Sequence, residues 1–422
     1  MSLQLGCIAD DLTGATDVAS VLVREGLRTT LVVGVPDADA LSGVSGAAVV
    51  ALKSRTSPVA EAVGQSLASL ARLKEAGARQ ILFKYCSTFD STDQGNIGPV
   101  ADALLDAINE TMTIVCPAYP RNRRTIYRGN LFVGDELLSE SPMRNHPLTP
   151  MTDSNLVRLM ARQSPRKVGL VDYDTVRQGT TAIRAAFERL RAEGIGHAVL
   201  DATEDAHLVE IAEATRDFGL LTGGAGIALG LPRVHGKAGQ KQVDSDETRL
   251  DWPPGPAAIL AGSCSIATLN QVGRAAYCYP SRQLDPIELV KNPAHAEAIG
   301  RWACEQAGTR PILIHAGQPA DAIARIQQTL GRARAGELIE HAFGRIASIL
   351  VAKGFRRILI AGGETAGAVV GALGVKVLEI GPEIAPGVPW TLAHCDPAIA
   401  LALKSGNFGG PDFFADAMRM LP

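Results

Sequence analysis

Short apolar runs bounded by turn residues alternate along this chain with stretches whose apolar positions recur at helical spacing. In the N-terminal half the runs are LQLGCIA, TTLVVG, GAAVVAL, QILFKY, TIVCPAY, KVGLVD, HAVLDA and FGLLTG. Between them, 58–76 (PVAEAVGQSLASLARLKEA) and 180–193 (TTAIRAAFERLRAE) carry an apolar stripe opposite a charged face. The order βαβα predicts parallel strands covered by helices. Segment 237–256 (KAGQKQVDSDETRLDWPPGP) is polar and ends in Pro and Gly, which predicts a linker. Beyond it AAILAGSC, RPILIHAG, RRILIAGG and VKVLEIG resume the pattern, with a helix expected over 336–353. The expected architecture is α/β in two domains, 1–236 and 257–422. Each is a largely parallel sheet flanked by helices, with the active site in the cleft between them. Segment 132–155 fits neither period and predicts an ordered excursion beside that cleft.

Composition narrows the class. A length of 422 residues suits two domains, and a net charge of -3 lacks the basic excess that nucleic acid or an anionic membrane favours. The N-terminus has no basic and apolar signal pattern, and no apolar run reaches a membrane span, so a soluble cytoplasmic protein is expected. The seven cysteines form no CxxC pair and no metal-ligand spacing with His. They read as reduced thiols, mostly within strands, and no protein-bound metal is expected.

Candidate chemistry lies where strands end. Asp10 and Asp11 follow the first strand, where open α/β sheets place ligands. The pair could bind sugar hydroxyls, accept a proton or hold Mg²⁺ through water; alternatively Asp11 or Thr13 caps a helix over 15–24. Arg55 follows the run GAAVVAL, Lys84 ends QILFKY and Asp90 lies just beyond it, and Arg55 with Lys84 could clamp a carboxylate. In the C-terminal half, Gly362-Gly363-Glu364-Thr365 stands between a buried strand and a small-residue helix, an arrangement that offers backbone N–H groups to phosphate. Ser263 and Ser265, after the first strand of that half, and Gly406 and Asn407 near the C-terminus lie in two supplementary loops. Lys404 is either a counter-charge for phosphate or an ordinary exposed lysine. There is no Walker A motif, no GxGxxG, no HExxH and no GxSxG.

At these residues the sequence resembles the four-carbon acid sugar kinase family, in IADDLTGATDVA, KYCSTFDST, GGETAGAVVGALGV, GPEIAPGVPW and LKSGNFGGPDFF. SPMRNHPLTPMTDSNL, VGLVDYDTVRQG and LLTGGAGIALGLP resemble its 3-oxo-tetronate kinase branch more than its threonate or erythronate kinases. The resemblance implies a sugar-acid-binding N-terminal domain and a nucleotide-binding C-terminal domain. ATP with Mg²⁺ would then phosphorylate the C4 hydroxyl of a four-carbon sugar acid. It implies ATP against Ser263, Ser265, residues 362–365 and the Gly406 loop, and the sugar acid near Asp10, Arg55 and Lys84. Expected partners are these two small molecules, with homodimerisation left open. Arg121, Arg123 and Arg124 depart from the family pattern. A sugar-acid oxidoreductase or a non-catalytic sugar-acid sensor are the rivals; the missing GxGxxG counts against the first and the phosphate cradle against the second.

Overall fold

The computed structural model describes residues 3–37, 39–146, 148–235, 250–308, 310–318 and 320–421. The chain divides into two compact units, Met1–Ser245 and Asp246–Pro422. The expected linker lies outside the described residues as far as position 249.

The strands of the first unit are β1 (Leu3–Ala9), β2 (Thr29–Val33), β3 (Gly46–Ala51), β4 (Gln80–Lys84), β5 (Thr113–Cys116), β6 (Arg124–Tyr127), β7 (Asn130–Val133), β8 (Glu136–Leu137), β9 (Lys167–Val171), β10 (Ile195–Leu200) and β11 (Leu220–Gly223). Eight of them form a parallel sheet in the order β2-β3-β1-β4-β11-β5-β10-β9, one for each apolar run of that half. Such runs become central parallel strands because both faces are covered, so no polar alternation is needed. From β1 the chain first moves two places to one side, returns through β3, and then crosses to β4 on the other side of β1. That reversal is a topological switch point, where the loops after neighbouring strands diverge and leave a crevice. The irregular region near 132–155 joins β6, β7 and β8 in a small antiparallel sheet and adds a 3₁₀ turn at Pro142–Asn145.

The second unit contains β12 (Ala257–Ala261), β13 (Ser281–Gln283), β14 (Ile312–His315), β15 (Arg357–Ala361), β16 (Val377–Ala385), β17 (Val388–Ala393) and β18 (Ile399–Lys404). Their order is β13-β14-β12-β15-β18-β17-β16, parallel as far as β18 and antiparallel for the last two pairings. VKVLEIG, expected within the parallel alternation, is therefore one arm of an antiparallel hairpin, β16 with β17. Its core joins Ile259, Leu313, Leu359 and Trp390, and the Trp390 indole donates to Ala417 O at 3.0 Å. This unit too reverses direction at its first strand, between β12 and β15. Among the described residues no helix is long and apolar enough to cross a membrane. All seven cysteines are free, but only Cys7 and Cys116 lie within strands, so the expectation that most would do so is corrected.

Candidate functional site

Two clusters form at the switch points. In the first unit β3, β1 and β4 are neighbours, with Ala9 paired to Ala51 on one side and to Lys84 on the other. Register alone therefore brings together the residues that follow: Asp10 and Asp11 after β1, Arg55 after β3, and Lys84 with Asp90 at and beyond the end of β4. Backbone bonds lock the turn, with Asp10 N donating to Lys84 O at 3.0 Å and Ser54 N to Asp10 O at 2.9 Å.

Arg55 ties the cluster together. Its Nε and Nη2 donate to Asp10 Oδ2 and Oδ1, both at 2.8 Å, and Nη2 also reaches Asp11 Oδ1 at 2.6 Å. A bidentate guanidinium–carboxylate pair fixes both partners in plane. Nη1 faces Asp90 at the longer distance of 3.9 Å, and Asp90 accepts from Thr88 Oγ1 at 2.7 Å. The helix cap is Asp11: its carboxylate accepts from Gly14 N at 3.1 Å and from Thr13 Oγ1 at 2.7 Å, and the helix begins at Leu12. Asp10 takes no part in capping. Burial pushes the Asp10 carboxyl upward, opposed by Arg55. Burial pushes Asp11 upward as well, but Arg55, Lys84 and its two hydrogen-bond donors outweigh it and bring Asp11 to about 2.

Lys84 is buried, and its ammonium pairs with Asp11 Oδ1 at 3.8 Å. Burial draws it down, but Asp11 and Asp10 more than offset this and hold it above the usual lysine range. Gly14 makes the position possible, because a Cβ there would collide with Lys84 Nζ.

Asn96 is a residue the sequence reading missed. It precedes the helix Ile97–Ala107 like an ordinary cap but makes no cap bond; its side chain instead donates to Ser54 O at 2.8 Å and Ser57 O at 3.2 Å, holding the turn that carries Arg55. Arg55, Asp90, Asn96 and Thr149 line a groove of about 410 Å³. The three arginines that depart from the family pattern are accounted for locally. Arg121 pairs with Asp205 at 3.1 Å, Arg123 with Asp135 at 2.7 Å, and Arg124 donates to Asn122 O.

In the second unit β12, β15 and β18 are neighbours, Ala361 being paired with both Ala261 and Lys404. The three loops expected to hold nucleotide thus leave adjacent strands. Gly262 N and Ser263 N donate to Ala361 O at 2.9 and 3.0 Å, and Gly362 N to Lys404 O at 2.8 Å. Ser265 caps the helix Ile266–Cys278 and donates from Oγ to Gly406 O at 2.6 Å. A Cβ on Gly262 would strike Thr365 Oγ1, and one on Gly406 would strike Ser263 Oγ. These glycines therefore serve loop-to-loop packing as well as any ligand. Gly362 has φ +130° and caps the helix Gly363–Ala372 without a side chain; the first helical bond is Ala366 N to Gly362 O at 2.9 Å. The amides of Gly363, Glu364 and Thr365 come ahead of that ladder, the place where helices receive anions. Lys404 is not the exposed lysine that was one expectation. It is wholly buried and burial lowers it to about 7. Among the described residues no group of three or more His, Cys, Asp or Glu is placed to hold a metal ion.

A polar cluster of charged side chains lies at one switch point and a glycine turn ahead of a helix at the other. A family model described as a sugar-binding N-terminal domain matches residues 5–231, and one described as a nucleotide-binding C-terminal domain matches 258–414. The chain belongs to the four-carbon acid sugar kinase family. The protein named 3-oxo-tetronate kinase in Cupriavidus necator is 52% identical over 420 residues, which cover 99% of this chain and 97% of the relative. The one so named in Salmonella typhimurium is 45% identical over 420 residues, 99% of each. A solved Salmonella typhimurium LT2 structure superposes with a TM-score of 0.87 at 43% identity, covering 99% of this chain and 100% of the other. A Haemophilus influenzae structure gives 0.80 at 45%, with the same coverage.

Proposed function

We propose that this protein is an ATP-dependent 3-oxo-tetronate kinase that converts 3-oxo-tetronate to its 4-phosphate. The observation that carries this reading is kinship at about half identity, running through both units, with proteins named for that activity. In the reaction the C4 hydroxyl oxygen attacks the γ-phosphorus as the bond to the bridging oxygen of ADP breaks. The hydroxyl proton passes to a base and ADP leaves.

We assign the residues as follows. Asp10 orients the hydroxyl and takes its proton; both its oxygens accept from Arg55, yet a carboxylate keeps further lone pairs for a hydroxyl. Lys84 and the Nη1 edge of Arg55 receive the substrate carboxylate, with Asp11 and Asp90 holding those cations in place. Ser263, Ser265, Gly362 to Thr365, Gly406 and Asn407 receive ATP. The donor set suits Mg²⁺ that arrives with the nucleotide, since Mg²⁺ in such sites is held largely by phosphate oxygens and water. Its chemistry would be to neutralise charge on the transferring phosphoryl group. We place the enzyme in the cytoplasm, where ATP is supplied.

The test is a substrate panel. With ATP, the purified protein should act on 3-oxo-tetronate with a kcat/KM at least tenfold above that on threonate or erythronate. A preference for threonate or erythronate would overturn the substrate assignment, and reduction of a nicotinamide cofactor without ADP formation would overturn the reaction class.

A further inference from the structure

Lys404 ends β18 with its ammonium sealed inside the second unit, 6.0 Å from the centre of the Phe413 ring. Nζ donates to Thr268 Oγ1 at 3.0 Å and to the carbonyls of Ser405 and Gly406, each at 2.9 Å. An ammonium has three N–H groups, so this set is complete and leaves none for a phosphate oxygen. The Gly406 carbonyl also accepts from Ser265 Oγ at 2.6 Å and Thr268 Oγ1 at 2.8 Å. Three donors converge on an oxygen with two lone pairs, which fixes the orientation of that peptide.

The orientation matters because a trans peptide points its C=O and N–H in opposite directions. Turning the Ser405 and Gly406 carbonyls inward towards Lys404 turns the N–H groups of Gly406 and Asn407 outward. We propose that Lys404 is a positioning residue for the nucleotide: from beneath the loop it aims the Gly406 and Asn407 amides at phosphate oxygens. This rests on the assignment of the Gly406 loop to ATP. A buried charge is not needed merely to hold the loop, since Phe408 N also donates to Ser405 O at 3.2 Å and two hydroxyls already serve Gly406 O.

The experiment compares wild-type full-length protein with Lys404→Met by calorimetric titration with ATP and by steady-state kinetics. We expect ATP affinity to fall at least tenfold and the KM for sugar acid to stay within twofold. Thr268→Val, which removes a hydroxyl from the same carbonyl, should show the same selective loss. The double variant should lose less than the product of the two single effects. Undiminished ATP binding in a folded Lys404→Met protein, equal shifts for both substrates, or multiplicative losses would overturn the proposal. Should Lys404→Met not fold, the same split in Thr268→Val decides. Failure of the wild-type protein to bind ATP would overturn the nucleotide reading itself, a result distinct from all of these.

Discussion

Replacing Lys84 by Met separates function from stability more cleanly than any other single change in the first cluster. Met keeps the length and apolar stem of the side chain and removes only the ammonium. The folded protein loses little by this. Asp11 stands 3.8 Å from Lys84 but keeps Arg55 at 2.6 Å, the Thr13 hydroxyl and the Gly14 amide. The solvation cost of the buried ammonium is more than offset by Asp11 and Asp10, so the melting temperature should fall, but only slightly. Catalysis loses much more. Two unit charges about 4 Å apart interact by about 4 kcal/mol at an effective dielectric constant near 20. Arg55 remains to share the substrate carboxylate, so we expect about half of this, about 2 kcal/mol, to appear, a loss of roughly 30-fold in kcat/KM for sugar acid. The assay varies sugar acid at saturating ATP, with a melting curve on the same preparation. A folded variant with kcat/KM for sugar acid within threefold of wild type would refute the reasoning, as would an equal loss towards ATP.

Three further outcomes follow. Asp10→Asn should lower kcat by roughly 10²-fold or more while leaving ATP affinity unchanged, because it removes the proton acceptor in the unit that does not hold ATP; the helix cap is Asp11, so capping cannot explain such a loss. Gly362→Ala introduces a side chain at φ +130° with its Cβ 3.1 Å from Ser263 N; strain of about 1–3 kcal/mol should weaken ATP binding severalfold or more and leave the sugar acid unaffected, as read by calorimetry. For Asp11, the folded carboxyl at about 2 lies below its ordinary value of 3.8. The folded state therefore gains stability that is full above about pH 4 and lost as pH falls towards 2. Asp11→Asn keeps the cap but removes about 2 kcal/mol of this pH-dependent term, which acid unfolding followed by circular dichroism would report as a flatter profile.

Much of the frame was legible because parallel strands buried on both faces advertise themselves as unbroken apolar runs, and each of the eight N-terminal runs became such a strand. β17 and β18 were not legible: VPWTLA carries a proline, and IALALK ends in a lysine that local sequence reads as exposed. Only tertiary packing shows that Thr268 and the carbonyls after β18 enclose that lysine. The acid and basic residues of the first cluster were visible singly at strand ends. What made them one site, the order β3-β1-β4, is a non-local pairing that no local period encodes. Asn96 was hidden for the opposite reason, since Asn before an apolar helix reads as a cap, and the diversion of its amide to the Arg55 turn depends on a contact about 40 residues away in sequence.

The central claim is phosphoryl transfer from ATP to the terminal hydroxyl of a four-carbon 3-oxo acid. It is tested most directly by incubating the purified protein with ATP, Mg²⁺ and 3-oxo-tetronate and following the mixture by phosphorus NMR. The account predicts ADP and a new phosphomonoester in equal amounts, the ester phosphorus coupled to the two C4 protons. Inorganic phosphate in place of the ester, an ester on another carbon, or ATP left unconsumed would contradict it.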